Sequence, residues 1–191
     1  MVDAARQPLI EVKTYTEVEK VEGYVGNFVV TLREKAKYVR ADRCNGCGAC
    51  TKACPVEIPN YFEMYLAPRK AAYIPMSQAV PLIYNIDMDA CIHCYKCVEA
   101  CGALEAIDFS MEDKLVEQEI GAIVVATGFG HFDPSPMVEY GYGRFPNVIT
   151  AMEMERLNNS AGPTHGALVR PSDGKSPKRI AIINCVGSRD K

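Results

Sequence analysis

The sequence predicts an α+β chain in which a compact cysteine-rich block interrupts a strand-rich layer. Eight of its nine cysteines fall in two groups of four between Cys44 and Cys101. Extended, apolar patterns of strand length lie both before and after that block. Within it, Pro55, Pro59, Pro68, Pro75 and Pro81 bar any long helix, because proline removes a backbone donor and clashes with the preceding turn.

Taken in order, the stretch from Leu9 to Val39 is expected to be extended. Ile10, Val12 and Tyr15 lead into Val18 and Val21, a turn at Gly23–Gly26 follows, and Phe28–Leu32 is a strand. In the cysteine block, short helical turns are expected after Gly48 and Tyr95, where the third and fourth cysteines of each group stand four residues apart. From Leu115 the extended pattern resumes, with Val116 and Ile120 feeding a buried-strand candidate, Gly121–Ala126, that ends at Thr127 and Gly128. A Gly/Pro-rich stretch covers His131–Asn147. Thr150–Leu157 is expected to be a short helix, with Thr150 as its cap and Glu153 three residues on. A second loop, Asn158–Pro177, precedes a last strand candidate, Arg179–Asn184. Two strand-bearing flanks around one cysteine block suggest an insertion into a host domain.

Composition narrows the function classes. With 191 residues, 48% of them hydrophobic, the chain can bury one domain-sized core or two small ones. A net charge of −3 and a pI near 5.7, with dispersed basic residues, give no nucleic-acid or anionic-membrane footprint. The longest apolar runs, such as Ala122–Ala126, fall far short of the ~20 residues a membrane span needs. No signal-peptide pattern opens the chain, so a cytoplasmic setting is expected. There thiols stay reduced, and an odd cysteine count speaks against a disulfide scaffold, so clustered cysteines point to metal or redox ligation.

The two groups are Cys44-x-x-Cys47-x-x-Cys50-x-x-x-Cys54-Pro55 and Cys91-x-x-Cys94-x-x-Cys97-x-x-x-Cys101-Gly102. A tight loop turns three evenly spaced thiolates inward around one cubane face. The fourth, further along a helical turn, points away and ligates the other cluster, as in two-cluster bacterial ferredoxins. The spacing therefore assigns Cys44, Cys47, Cys50 and Cys101 to one 4Fe–4S cluster, and Cys91, Cys94, Cys97 and Cys54 to the other. Zinc ribbons also use CxxC pairs, but they need no third cysteine in the series. Gly46 and Gly48 would let backbone N–H groups approach the first cluster, whereas the second loop holds Ile92, His93, Tyr95 and Lys96 instead. His93 is expected to be a solvent-facing loop residue, and Lys96 to exert little influence if exposed. Thirty-six residues separate Cys54 from Cys91. Their apolar members, Tyr61, Phe62, Met64, Tyr65, Tyr73, Ile74 and Met76, are expected to cover the clusters.

The flanks carry a resemblance. Gly121–Gly128 resembles the late strand of two-dinucleotide-binding flavoproteins, which ends in Ala-Thr-Gly beside the flavin. The companion G-x-G-x-x-G turn is missing, since Gly141-Tyr-Gly143 follows no strand. With Val21–Phe28, both cysteine groups, Tyr73–Pro81, Gly121–Phe129, Glu139–Thr150, Arg170–Lys175 and Cys185–Asp190, nearly the whole chain resembles the iron–sulfur flavoprotein (A-type) component of heterodisulfide reductases. That resemblance implies a bacterial two-cluster ferredoxin-like domain inserted into a partial FAD-binding, thioredoxin-reductase-like α/β domain. Residues 1–40 would then be FAD-domain strands, 41–110 the two-cluster domain, and 111–191 the return to the FAD domain. It also implies that family members extend beyond both ends, and that Cys185 is the first ligand of a further cluster whose partners lie past Lys191. Thr127 and Gly128 become candidate flavin contacts, with FAD held by the full-length protein but weakly or not at all by this chain. Cys185-Val-Gly187-Ser is a poor nicotinamide-binding turn, so NAD(P)H is not expected.

The function so implied is electron transfer through two 4Fe–4S clusters within an oxidoreductase subunit. Its expected partners are the other subunits of a heterodisulfide-reductase-type complex and ferredoxin, hydrogenase or dehydrogenase electron donors. No residue stands out as a catalytic acid, base or nucleophile, and His131 and His165 are expected to be solvated. Two alternatives stand beside this reading: a ferredoxin-like carrier without flavin, and a component of a related quinone-interacting, membrane-linked complex. A carrier would pack its flanks on the cluster domain alone, whereas part of a larger flavoprotein would leave apolar flank surface unpaired.

Overall fold

A hairpin organises the front of the chain in the computed structural model, which describes residues 2–188. Met1 and residues 189–191, including the end of the Cys185–Asp190 string, lie outside the described residues. The elements in chain order are α1 (Val2–Arg6), β1 (Thr16–Tyr24), β2 (Asn27–Glu34), α2 (Ala49–Ala53), β3 (Glu57–Pro59) and β4 (Pro68–Lys70). They continue with β5 (Ala72–Tyr73), β6 (Asn85–Ile86), α3 (Lys96–Cys101), a 3-10 turn at Gly102–Leu104, β7 (Lys114–Ile120) and α4 (Ala151–Asn158). The chain forms two compact units, Met1–Ile58 with Arg69–Ala126, and Pro59–Pro68 with Thr127–Lys191.

In the first unit β1, β2 and β7 make an antiparallel sheet with β2 at its centre. The register pairs Phe28 with Ile120 and Glu34 with Lys114, so residues from both sides of the cysteine block share one ladder. The expected hairpin is present, turning at Val25 and Gly26. Beyond the sheet, four short extended segments are laced together. Val39 bridges Ile107, the Arg40 N–H donates to the Ala106 carbonyl at 2.7 Å, and the Ile86 N–H donates to the Lys37 carbonyl at 3.1 Å. The Asp87 N–H donates to the Ala71 carbonyl at 2.8 Å. Val39, Ala72, Ile86 and Ala106 are buried in a core that also contains Cys50 and Cys97. The small alanines let backbone segments close around the helices.

In the second unit α4 forms where its cap predicts. The Thr150 hydroxyl accepts from the Glu153 N–H, and the Glu153 carboxylate accepts from the Thr150 N–H, a full capping box. Its last turn carries Arg156, whose guanidinium makes a two-pronged pair with Glu63, Nε to Oε2 at 3.0 Å and Nη2 to Oε1 at 3.2 Å. Both side chains are buried, which is tolerated because each charge neutralises the other.

Three expectations are corrected. Gly121–Ala126 is no strand: β7 ends at Ile120, every residue from 121 to 130 is exposed, and Val124 is 90% exposed. The Gly26 N–H donates to the Gly121 carbonyl, and past this rung no strand lies alongside among the described residues. Arg179–Asn184 is likewise irregular and exposed for the same reason, since a strand is stabilised by its neighbours rather than by its own composition. Finally, Tyr61, Phe62, Met64 and Tyr65 belong to the second unit, with the Glu63–Arg156 pair, while the side chains packed on the cysteine core are others, among them Tyr38, Ile83, Tyr84 and Phe109.

Candidate metal centres

Each cysteine group forms one loop running into one short helix. The first loop places Gly46 and Gly48 at φ +72° and +76°, and Gly48 caps α2. The second places His93 and Tyr95 at φ +51° and +58°, and Tyr95 caps α3. The same left-handed backbone is thus reached twice, by glycine in one loop and at a steric cost in the other. These two left-handed residues bend each loop into its helix, which buries the third cysteine of the group. The helix then carries the fourth cysteine away.

Burial follows the repeat. Cys50 and Cys97, the third of each group, are buried in the core. Cys47 and Cys94, the second of each, are exposed, and Cys44, Cys54, Cys91 and Cys101 are intermediate and pack against the core. Burial pushes the Cys50 thiol up to about 11, with a smaller push from Cys44 and Cys47 nearby. The Cys97 thiol is raised for the same reasons, burial first and then Cys91 and Cys94. In each triplet the first and second cysteines are thus near enough to act on the third.

The fourth cysteines complete the picture. One cavity is lined by Cys54 together with Cys91, Cys94 and Cys97, and its other walls are carbon-rich, among them Val56, Ala72 and Ile86. Cys54 has thus left its own triplet and faces the other. Cys101 packs on the core with Cys44, and its sulfur accepts the Ala106 N–H at 3.3 Å. The Cys91 sulfur accepts the His93 N–H at 3.4 Å. Such N–H···S contacts lower the cost of negative charge on sulfur.

Four thiols around a carbon-lined recess match the ligand set of a 4Fe–4S cubane, whose ligands stand around a cluster rather than around one ion. Among the described residues no group of three or more His, Cys, Asp or Glu converges tightly enough for a single metal ion. His93 is exposed, 5.8 Å from the Phe109 ring between centroids, and Lys96 is exposed too. Thr127 and Gly128 are exposed and stand in irregular chain. Cys185 is exposed and lies in the second unit, where its carbonyl accepts the Ser188 N–H.

Sequence reasoning missed the walls. Ala71, Ala72 and Ile86 line the cavity, and Leu82 and Tyr84 lie against the first loop. Leu82, Tyr84 and Ile86 are spaced two apart just before the second motif, the period of a one-sided strand, which was the available signal.

Residues 36–102 match a family described as a 4Fe-4S dicluster domain. The whole chain is 50% identical to the A-type component of the H(2):CoB-CoM heterodisulfide,ferredoxin reductase of Methanothermobacter thermautotrophicus. It is 50% identical over 190 residues to the corresponding iron-sulfur subunit of the CoB--CoM heterodisulfide reductase of Methanocaldococcus jannaschii. It is 55% identical over 190 residues to the second of two such iron-sulfur subunits of Methanopyrus kandleri. In each case the match takes in 100% of the chain and 29% of the relative. No helix among the described residues is long and apolar enough to cross a membrane. The chain therefore matches, from end to end, a segment of the A-type iron–sulfur component of heterodisulfide reductases, one that carries a 4Fe-4S dicluster domain.

Proposed function

We propose that the chain relays single electrons through two 4Fe–4S clusters inside a heterodisulfide-reductase-type subunit. The first cluster is held by Cys44, Cys47, Cys50 and Cys101, and the second by Cys91, Cys94, Cys97 and Cys54. The observation that carries this reading is the cavity shared by Cys54 with the second triplet. When bound, the clusters supply reversible one-electron chemistry. The chain's own residues bind them, keep water away and set their potentials. Val39, Ala72, Ile86 and Ala106 hold the two helices in one core, so the two ligand sets keep a fixed separation.

The flanks belong, on this reading, to a FAD-binding domain into which the two-cluster domain of residues 41–110 is inserted. Support comes from the shared sheet, which joins strands from residues 1–40 to β7, and from apolar chain left unpaired. Val124, Val125, Phe129 and Ile182 are each at least 76% exposed, as expected of strands completed by the rest of a longer protein. A carrier whose flanks pack only on its own cluster domain would not display them. Thr127 and Gly128 would then meet the flavin, and Cys185 would join a further cluster. Partner subunits of a heterodisulfide reductase, with ferredoxin or hydrogenase as electron source, are supported by relatives whose names print H(2) or ferredoxin with that reductase. Clustered reduced thiols suit the cytoplasm.

Electron paramagnetic resonance of the iron-loaded chain, titrated with reductant, tests the relay directly. Two one-electron centres, each rising and falling reversibly with potential, are expected. A single centre, or a spectrum that never responds to reductant, would sink the proposal.

A further inference from the structure

The two cysteine loops share a backbone but differ in what covers them. His93 and Tyr95 show that left-handed φ at these positions does not by itself demand glycine. Space does so in the first loop. A Cβ on Gly46 would stand 2.8 Å from Cγ and Cδ2 of Leu82, and a Cβ on Gly48 would stand 2.8 Å from the hydroxyl oxygen of Tyr84. The second loop covers itself, with the His93 and Tyr95 rings 5.8 and 5.5 Å from that of Phe109 between centroids. The cover of the first loop thus includes a hydroxyl, while the ring on which the second loop packs has none.

Tyr84 is half-buried and packs against the core that holds Cys50, as does Cys44. Its hydroxyl reaches the loop at Gly48, between the second and third ligands of the triplet. A phenol carries its proton at neutral pH, so the hydroxyl can donate toward electron-rich sulfur.

Resting on the ligand assignment above, we propose that Tyr84 is a positioning residue for the first cluster, its hydroxyl donating a hydrogen bond to that cluster's sulfur. Such a bond stabilises the more negative, reduced state and so raises the reduction potential. The first cluster is thereby set above the potential it would have with a bare apolar cover. Leu82 lies against the loop at Gly46, and Tyr84 supplies the polar contact at Gly48.

The test uses the iron-loaded full chain and Tyr84→Phe, which keeps the ring and removes only the hydroxyl. Iron and sulfide content comes first. Failure of the unaltered chain to load two clusters would overturn the ligand assignment, whereas equal loading of both proteins isolates the hydroxyl. Potentiometric titration is then expected to show a lower potential for the cluster whose signal is lost in Cys47→Ala, with the other unmoved. Electron–nuclear double resonance in D2O is expected to lose one exchangeable deuteron coupling. Gly48→Ala, which pushes the hydroxyl away with Tyr84 still present, should move the same potential the same way. Unchanged potentials and couplings in Tyr84→Phe, or equal shifts of both clusters, would overturn the role.

Discussion

Cysteine is the residue type on which this molecule turns, and its nine copies are not equivalent. Eight lie in the first unit, while Cys185 is exposed in the second. A thiolate bound to iron is a poor nucleophile toward alkylating reagents, so protection reports ligation. The iron-loaded chain should therefore take up iodoacetamide at Cys185 alone, and all nine cysteines should react after the clusters are removed and the chain unfolded. Peptide mass spectrometry reads both states. Labelling of Cys54 in the loaded chain would contradict its role as a ligand. Cys54→Ala should damage the cluster of Cys91, Cys94 and Cys97 more than its sequence neighbours' cluster. Loss of the sequence-local cluster, seen spectroscopically in both Cys54→Ala and Cys101→Ala, would show that ligation is not crossed.

At the scale of elements, α2, α3 and α4 were legible because each is set by a short-range signal. For α4 the signal is Thr150 with Glu153, and for the other two it is a fixed cysteine spacing after a left-handed residue. Gly121–Ala126 and Arg179–Asn184 have equally strong apolar composition and are not strands, because a strand needs a neighbour that local composition cannot provide. The same contrast predicts stabilities. Thr150→Ala removes one acceptor from a partly exposed cap and should cost about 1 kcal/mol, read as a denaturant midpoint. Arg156→Ala strands a buried Glu63 carboxylate and should cost about 3–5 kcal/mol by the same measurement. A smaller loss at Arg156 than at Thr150 would mean that the Glu63 pair does not anchor α4.

Across the whole molecule, the sequence revealed the cluster sites better than the course of the chain. Metal ligation is written as spacing, and in each triplet the first two cysteines stand near enough to act on the buried third. The departure of residues 59–68 into the second unit was invisible, since Glu63 finds Arg156 across 93 residues of sequence. The apolar spacer residues near Tyr61 looked like cluster cover, but the cavity walls include Ala71 and Ala72, which no hydrophobic pattern would single out, beside Val56 and Ile86. The flavin proposal also belongs at this scale. Gly128 is exposed with nothing within 4 Å of an added Cβ, and no G-x-G-x-x-G turn precedes it to seat a pyrophosphate. Calorimetric titration of this chain with FAD should accordingly show weak binding or none. Tight one-to-one binding would mean that the chain's flanks already complete a flavin site.

The central claim is that two cubanes sit on eight thiolates, and chemical analysis addresses it most directly. After anaerobic reconstitution and desalting, iron and acid-labile sulfide are measured against protein. Two clusters of four irons and four sulfides predict about eight of each per chain. A reproducible value near four irons, or stoichiometric zinc in place of iron, would contradict the two-cluster account.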